Sequence, residues 1–155
     1  MKAVIQRVTE ACVTVDGNIK GQIEQGFLVL LGVSEGDTEE ESRLLAKKVA
    51  NLRIFCDSED KMNLSLLDIG GQALVISNFT LCADTKKGNR PSFIQAAEPE
   101  TANSLYELFC DELELNGVKT VEKGEFGADM KVSLLNDGPI TVILDTDIWR
   151  KKNGI

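Results

Sequence analysis

The chain opens with strand-like segments. Met1–Val8 has strand composition, and Cys12–Val15 and Ile19–Ile23 flank Asp16-Gly17-Asn18, which carries the chemistry of a hairpin turn. Phe27–Val33 (FLVLLGV) is apolar without interruption, the pattern of a strand covered on both faces. A helix is predicted next. Thr38 with Glu41 three residues on is a capping box, glutamates fill the first turn, and Leu44, Leu45, Val49 and Leu52 form its apolar stripe. Arg53–Asp57 reads as a short strand, Ser58–Lys61 as a polar turn, and Ala73–Leu81 (ALVISNFTL) as a second buried strand.

A long loop, Cys82–Pro99, leads to a second helix at about Glu100–Asn116, striped by Ala102, Leu105, Tyr106, Phe109 and Leu113, with Gly117 placed to end it. Val118–Val121, Ala128–Leu135 and Ile140–Asp145 complete the strands, the last two joined by Asn136-Asp137-Gly138-Pro139. The class predicted is α+β: a curved, largely antiparallel sheet or open β-barrel packed by two α-helices. With 155 residues and neither linker nor repeat, residues 1–155 are expected to form one domain.

Composition narrows the chemistry. Histidine is absent, which removes imidazole bases, Ser-His-Asp and Cys-His catalysis and most zinc sites. Seventeen basic residues against twenty-five acidic give a net charge of −8, so broad binding to duplex DNA or RNA is disfavoured, whereas a local basic pocket still permits grip on an RNA end. No apolar run approaches the ~20 residues of a membrane span. Arg7 and Glu10 interrupt what would have to be a signal-peptide core, so a cytoplasmic location is expected, with the four cysteines as free, buried thiols. Asp57–Asp60 and Asp145/Asp147 lack calcium-loop spacing, and no phosphate-binding glycine loop is present; neither metal nor cofactor is expected.

Four segments carry more chemistry than folding requires. Ser77-Asn78-Phe79-Thr80-Leu81 is either a strand end whose hydroxyls bond the backbone or a pocket floor combining an aromatic surface with hydroxyl and amide groups; regular alternation places Ser77 and Phe79 on one face. Thr80 as a nucleophile would need a base that its sequence neighbours do not supply. Asn136-Asp137-Gly138-Pro139-Ile140-Thr141 is either a plain turn or, with a cis Gly-Pro bond, a rigid wall of carbonyls. Lys86-Lys87-Gly88-Asn89-Arg90-Pro91-Ser92-Phe93 is the densest basic stretch outside Arg150-Lys151-Lys152, and reads as a solvated loop or a phosphate clamp. Gly124–Met130 (GEFGADM) lets a ligand approach the backbone, with Phe126 or Met130 available to pack on a ring.

Taken together and in order, MKAVIQRV, SNFTL, KGNRPSF, GEFGADM and NDGPIT resemble the D-aminoacyl-tRNA deacylase family over essentially the whole chain. The family's Asn-x-Gly-Pro-x-Thr motif matches at Asn136, Gly138, Pro139 and Thr141. Its Ser-Gln-x-Thr motif matches at Ser77 and Thr80, with the shorter Asn78 in place of glutamine. The resemblance implies a cytoplasmic homodimeric esterase that cleaves D-amino acids, and glycine mischarged on alanine tRNA, from the 3′ end of tRNA. It implies that Gly138 and Pro139, joined by a cis bond, reach into the partner's pocket and exclude L-amino acids, and that Arg7 helps hold them. Ser77, Asn78, Phe79 and Thr80 would line that pocket, Ala128 and Met130 would lie near the adenosine, and the ribose 2′-hydroxyl would assist in place of a side-chain base. Asn136 and Thr141 complete the motif. The rival readings are a different esterase or amidase using Thr80 or Cys82, a module that binds RNA ends without turnover, and a scaffold with no pocket.

Overall fold

The computed structural model describes residues 1–150; Lys151 and Lys152 of the C-terminal basic stretch lie outside the described residues. In chain order the elements are β1 (Lys2–Val15), β2 (Asn18–Ile23), β3 (Gly26–Gly32), α1 (Glu39–Asn51), β4 (Phe55–Cys56), β5 (Met62–Leu64) and α2 (Leu66–Ile69). There follow β6 (Gln72–Ser77), a 3-10 turn (Phe79–Cys82), α3 (Pro99–Leu115), β7 (Val121–Lys123), β8 (Lys131–Asp145) and a closing 3-10 turn (Thr146–Ile148).

The organising element is β1, one strand of 14 residues where the sequence suggested two. Its first half pairs antiparallel with β3 and its second half with β2, while β8 runs antiparallel along its other edge. The main sheet has the order β2-β1-β3-β6-β7, and it curls until β2 packs against β6 and β7, giving a nearly closed barrel. The three ladders that β1 forms are antiparallel, and the sheet is mixed in that β3–β6 and β6–β7 are parallel. The reason lies in the connections: each of those pairs is joined through a helix, which returns the chain to the same end of the sheet, whereas a tight turn reverses it.

Alternation along the buried strands feeds two cores. Phe27, Val29 and Leu31 of β3, with Ala73 and Val75 of β6, face the helices and meet Leu45, Val49, Phe109 and Leu113. Leu28, Leu74 and Ile76 point the other way and pack with Val8, Val13 and Ile23 inside the curl. An uninterrupted apolar run is what such double coverage demands.

Helix α1 is capped by Thr38 and Glu41 as a full capping box. Burial tends to raise the Glu41 carboxyl, but bonds from the Thr38 hydroxyl and backbone hold it below its ordinary value. Leu44 is 41% exposed and leaves the stripe; Ser42, Leu45, Ala46, Val49 and Ala50 are the buried face, since small residues let the helix sit close on the sheet. A third helix, α2, was not anticipated. It is a single turn capped by Ser65 and Asp68 and ended by left-handed Gly70. Near the C-terminus, β7 covers Val121–Lys123 rather than Val118–Val121, and residues 128–130 stay in the loop before β8.

The Met1 ammonium is buried against the Asp37 carboxylate at 2.8 Å and donates to the Thr146 hydroxyl at 2.9 Å. Arg150 reaches the same carboxylate at 3.0 Å. All four cysteines are free, but only Cys82 and Cys110 are buried, so the expectation of uniformly buried thiols fails at exposed Cys56 and half-buried Cys12. Burial pushes the Cys110 thiol up to about 12. Among the described residues no helix is long and apolar enough to cross a membrane.

Candidate active site

Strand β6 does not continue through Leu81. It stops at Ser77, where the Asn78 N–H donates to Leu31 O at 2.8 Å, and the chain then folds into the 3-10 turn. Gly32 makes that fold possible: a Cβ there would meet Leu81 Cβ at 2.9 Å and Asn78 O at 3.2 Å. The alternation expected for Ser77–Leu81 is therefore overturned. Phe79 is 58% exposed, and Thr80 is exposed beside it.

Beside this turn lies a cleft of about 1030 Å³. Its floor is apolar, from Leu30, Ile76 and Val132 of the sheet. One wall is Ser77, Asn78 and Phe79, with Phe93 packed edge-on against the Phe79 ring at 5.1 Å. The opposite wall is Phe126–Met130. Phe126 leans on buried Tyr106 at 6.2 Å, and the Tyr106 hydroxyl donates to Val75 O at 2.8 Å. Burial raises the Tyr106 phenol well above its ordinary value, so it supports the wall and does not ionise near neutrality. Ile94, Ala97, Pro99 and Ala102 close the end; sequence reasoning did not assign them, although Pro99 at the first position of a helix was a visible sign that the loop turns back there.

Of the residues expected at a pocket, the structure brings Ser77, Asn78, Phe79, Ala128 and Met130 together on this cleft. Thr80 is not on its lining; its hydroxyl donates to the Asn78 side-chain oxygen, an uncharged acceptor. Cys82 is buried, with its Sγ 3.5 Å from Val33 O, and does not face the cleft. The titratable lining residues are Glu98 and Asp129, and the latter pairs with Lys131 at 3.3 Å. Among the described residues the site therefore offers an apolar cleft edged by hydroxyl and amide groups, with no strong base beside a nucleophile. Its chemistry is positioning.

Arg7, Asn136, Gly138, Pro139 and Thr141 belong to a second feature. The β1–β8 register shifts on either side of Val8, and β8 bulges outward there. The peptide bond between Gly138 and Pro139 is cis, and both residues are exposed. Gly138 has φ +155°, and a Cβ there would meet Ile140 N at 2.5 Å, so only glycine fits without displacement. Asn136 staples the loop. Its side-chain oxygen accepts from Ile140 N–H at 2.8 Å, and its amide nitrogen donates to Ile140 O at 3.0 Å and to the Thr141 hydroxyl at 3.3 Å. Arg7, 9% exposed, donates to Asp137 O and to Ile54 O, each at 2.9 Å, fastening the loop to the body. Neither Gly138 nor Pro139 lines the cleft of the same chain.

Residues 4–145 match the family described as D-Tyr-tRNA(Tyr) deacylase. The D-aminoacyl-tRNA deacylase of Roseiflexus castenholzii is 60% identical over 151 residues, covering 97% of this chain and 96% of that protein. That of Porphyromonas gingivalis is 54% identical over 146 residues, covering 94% and 97%. Among solved structures, one titled c-Myc DNA Unwinding Element Binding Protein superposes with TM-score 0.88 at 41% identity, covering 94% of this chain and 98% of that one. A probable eukaryotic D-amino acid tRNA deacylase shares the fold, with TM-score 0.78 at 17% identity over 92% and 97% of the two chains. With nearly the whole chain matched and relatives above half identity, the protein belongs to the D-Tyr-tRNA(Tyr) deacylase family.

Proposed function

We propose that this protein is a D-aminoacyl-tRNA deacylase, hydrolysing the ester between a D-amino acid and the 3′-terminal adenosine of tRNA. Water adds to the acyl carbon, the bond to the ribose oxygen breaks, and that oxygen takes up a proton, leaving free amino acid and tRNA. An aminoacyl ester is already activated, so orientation and fixed dipoles supply the catalysis, with the neighbouring 2′-hydroxyl assisting. The absence of histidine from the chain, and of a nucleophile–base pair from the cleft among the described residues, supports this reading. It also weighs against the esterase alternatives built on Thr80 or Cys82.

Selection is steric. The exposed Gly138-Pro139 loop, with its cis bond, forms a wall that an L side chain strikes, whereas a D side chain or the hydrogen of glycine clears it; glycine mischarged on alanine tRNA is then a substrate by the same rule. Because the loop does not line its own cleft, a second copy presents it, and the working unit is a homodimer in the cytoplasm with the site at the interface. Arg7, Asn136 and Thr141 hold the loop. Ser77, Asn78 and Phe79 position the aminoacyl group, Thr80 acts through its bond to the Asn78 side chain, and Ala128 and Met130 lie beside the adenosine. The observation that carries the proposal is the pairing of an apolar cleft that holds no base among the described residues with an exposed, stapled Gly-Pro loop outside it. Deacylation of matched D- and L-aminoacyl-tRNAs tests it. Release of the D form alone is expected; equal release of both, or protection without turnover, overturns it.

A further inference from the structure

The cleft has a charge problem. Among the described residues its lining contains Glu98 and Asp129 and no lysine or arginine, and the chain as a whole carries −8. A nucleoside fits such a slot, but the phosphates that precede it in an RNA strand do not. They need positive charge just outside the rim.

The loop after the 3-10 turn supplies it. Residues Asp84 and Ser92 bridge antiparallel, with N–H to carbonyl bonds of 2.8 and 2.9 Å, and close a hairpin whose tip carries Lys86, Lys87 and Arg90. All three side chains are exposed, and none is ion-paired among the described residues. The one carboxylate at the hairpin base, Asp84, accepts the Lys86 backbone N–H at 2.9 Å and thereby orders the turn. The hairpin runs straight into Phe93, which stacks edge-on against Phe79 at the cleft wall. Arg90 is three residues from Phe93, so chain geometry keeps its Cα within about 11 Å of the rim.

We propose that Lys86, Lys87 and Arg90 form a phosphate clamp for the RNA strand immediately preceding the esterified nucleoside, a proposal that rests on the deacylase reading. The cleft takes the terminal nucleoside and its acyl group, and the hairpin tip takes the backbone that leads to them. Binding then gains a local electrostatic grip that the overall charge would forbid, and remains limited to the end of the RNA.

The test compares two substrates bearing the same D-amino acid, the full aminoacyl-tRNA and the aminoacyl ester of adenosine, which has no phosphate. The variant is the triple K86Q/K87Q/R90Q, and K20Q/K47Q/K119Q removes the same charge from exposed positions elsewhere. For the clamp variant, kcat/KM on aminoacyl-tRNA is expected to fall about tenfold at low salt, through KM, with activity on the adenosine ester retained. The slope of log kcat/KM against log salt should become shallower by up to about 2, at roughly 0.7 per single-strand phosphate released. The control triple should keep the parent slope. An unchanged slope, an equal fall on both substrates, or the same loss in the control triple overturns the clamp while leaving the deacylase reading intact. If the parent chain releases D-amino acid from neither substrate, the deacylase reading fails and the clamp falls with it.

Discussion

The turn at Asn78–Cys82 ends one strand and the loop at Asn136–Thr141 breaks the pairing of another, and they are built in opposite ways. The first folds inward over Gly32 of β3 and shapes a concave wall. The second bulges outward from the edge strand β8 and is tied down from below by Arg7 and from within by Asn136. One relies on packing and the other on hydrogen bonds. A recess can be made by removing a side chain from the strand beneath it; a projecting loop has no neighbour to pack on and must be stapled by its own polar groups.

That contrast predicts how each region breaks. Gly32→Ala should have the largest effect: a Cβ 2.9 Å from Leu81 Cβ pushes the turn off β3, and displacement of the wall toward about 1 Å should lower deacylation by up to about 100-fold. Near-parent activity in a folded G32A protein would show that the turn has no part in positioning. Gly138→Ala acts on the other region. Strain of about 1–3 kcal/mol at φ +155° and the contact with Ile140 N should displace the loop. The D-over-L ratio is expected to fall about ten- to a hundredfold, more than the D rate itself, as read from paired D- and L-aminoacyl-tRNA assays.

Arg7→Lys sharpens the comparison, because lysine keeps the charge but loses the planar fork that spans Asp137 O and Ile54 O. A loss of discrimination of roughly tenfold is expected, with a stability cost of about 1 kcal/mol for a lost part-buried hydrogen bond. Denaturant unfolding alongside the paired assay separates the two effects. Thr80→Ala should do least. With its hydroxyl bonded to a neutral amide oxygen, its loss is expected to slow the reaction less than about tenfold. Abolished turnover with the fold intact would restore Thr80 as a nucleophile.

Periodicity recovered the long buried strands and the two long helices but missed the short strand at Met62–Leu64, and turn chemistry located the hairpin at Asp16-Gly17. It misjudged places where a single distant contact outweighs the local pattern. Ser77–Leu81 reads as strand by composition, but the side chain missing at Gly32, forty-five positions earlier than Ser77, lets the chain turn. Leu44 satisfies helical spacing and is nonetheless exposed, since alanines at 46 and 50 bring the helix down on its other side. The helix at Leu66–Ile69 was legible in Ser65, Asp68 and Gly70, but it is too short to have a periodicity.

The sequence alone determined the chemistry available to this protein: no imidazole, a strong negative charge, a basic cluster ending three residues before Phe93, and motif residues that resemble a deacylase. Those follow from residue identity, which folding does not change. The tertiary structure decided the geometry. It placed Ser77, Asn78, Phe79, Ala128 and Met130 on one cleft and left Gly138 and Pro139 outside it. The division arises because a cleft is made where segments distant in the chain pack together, and a strand's own pattern records which of its faces are covered without recording what covers them.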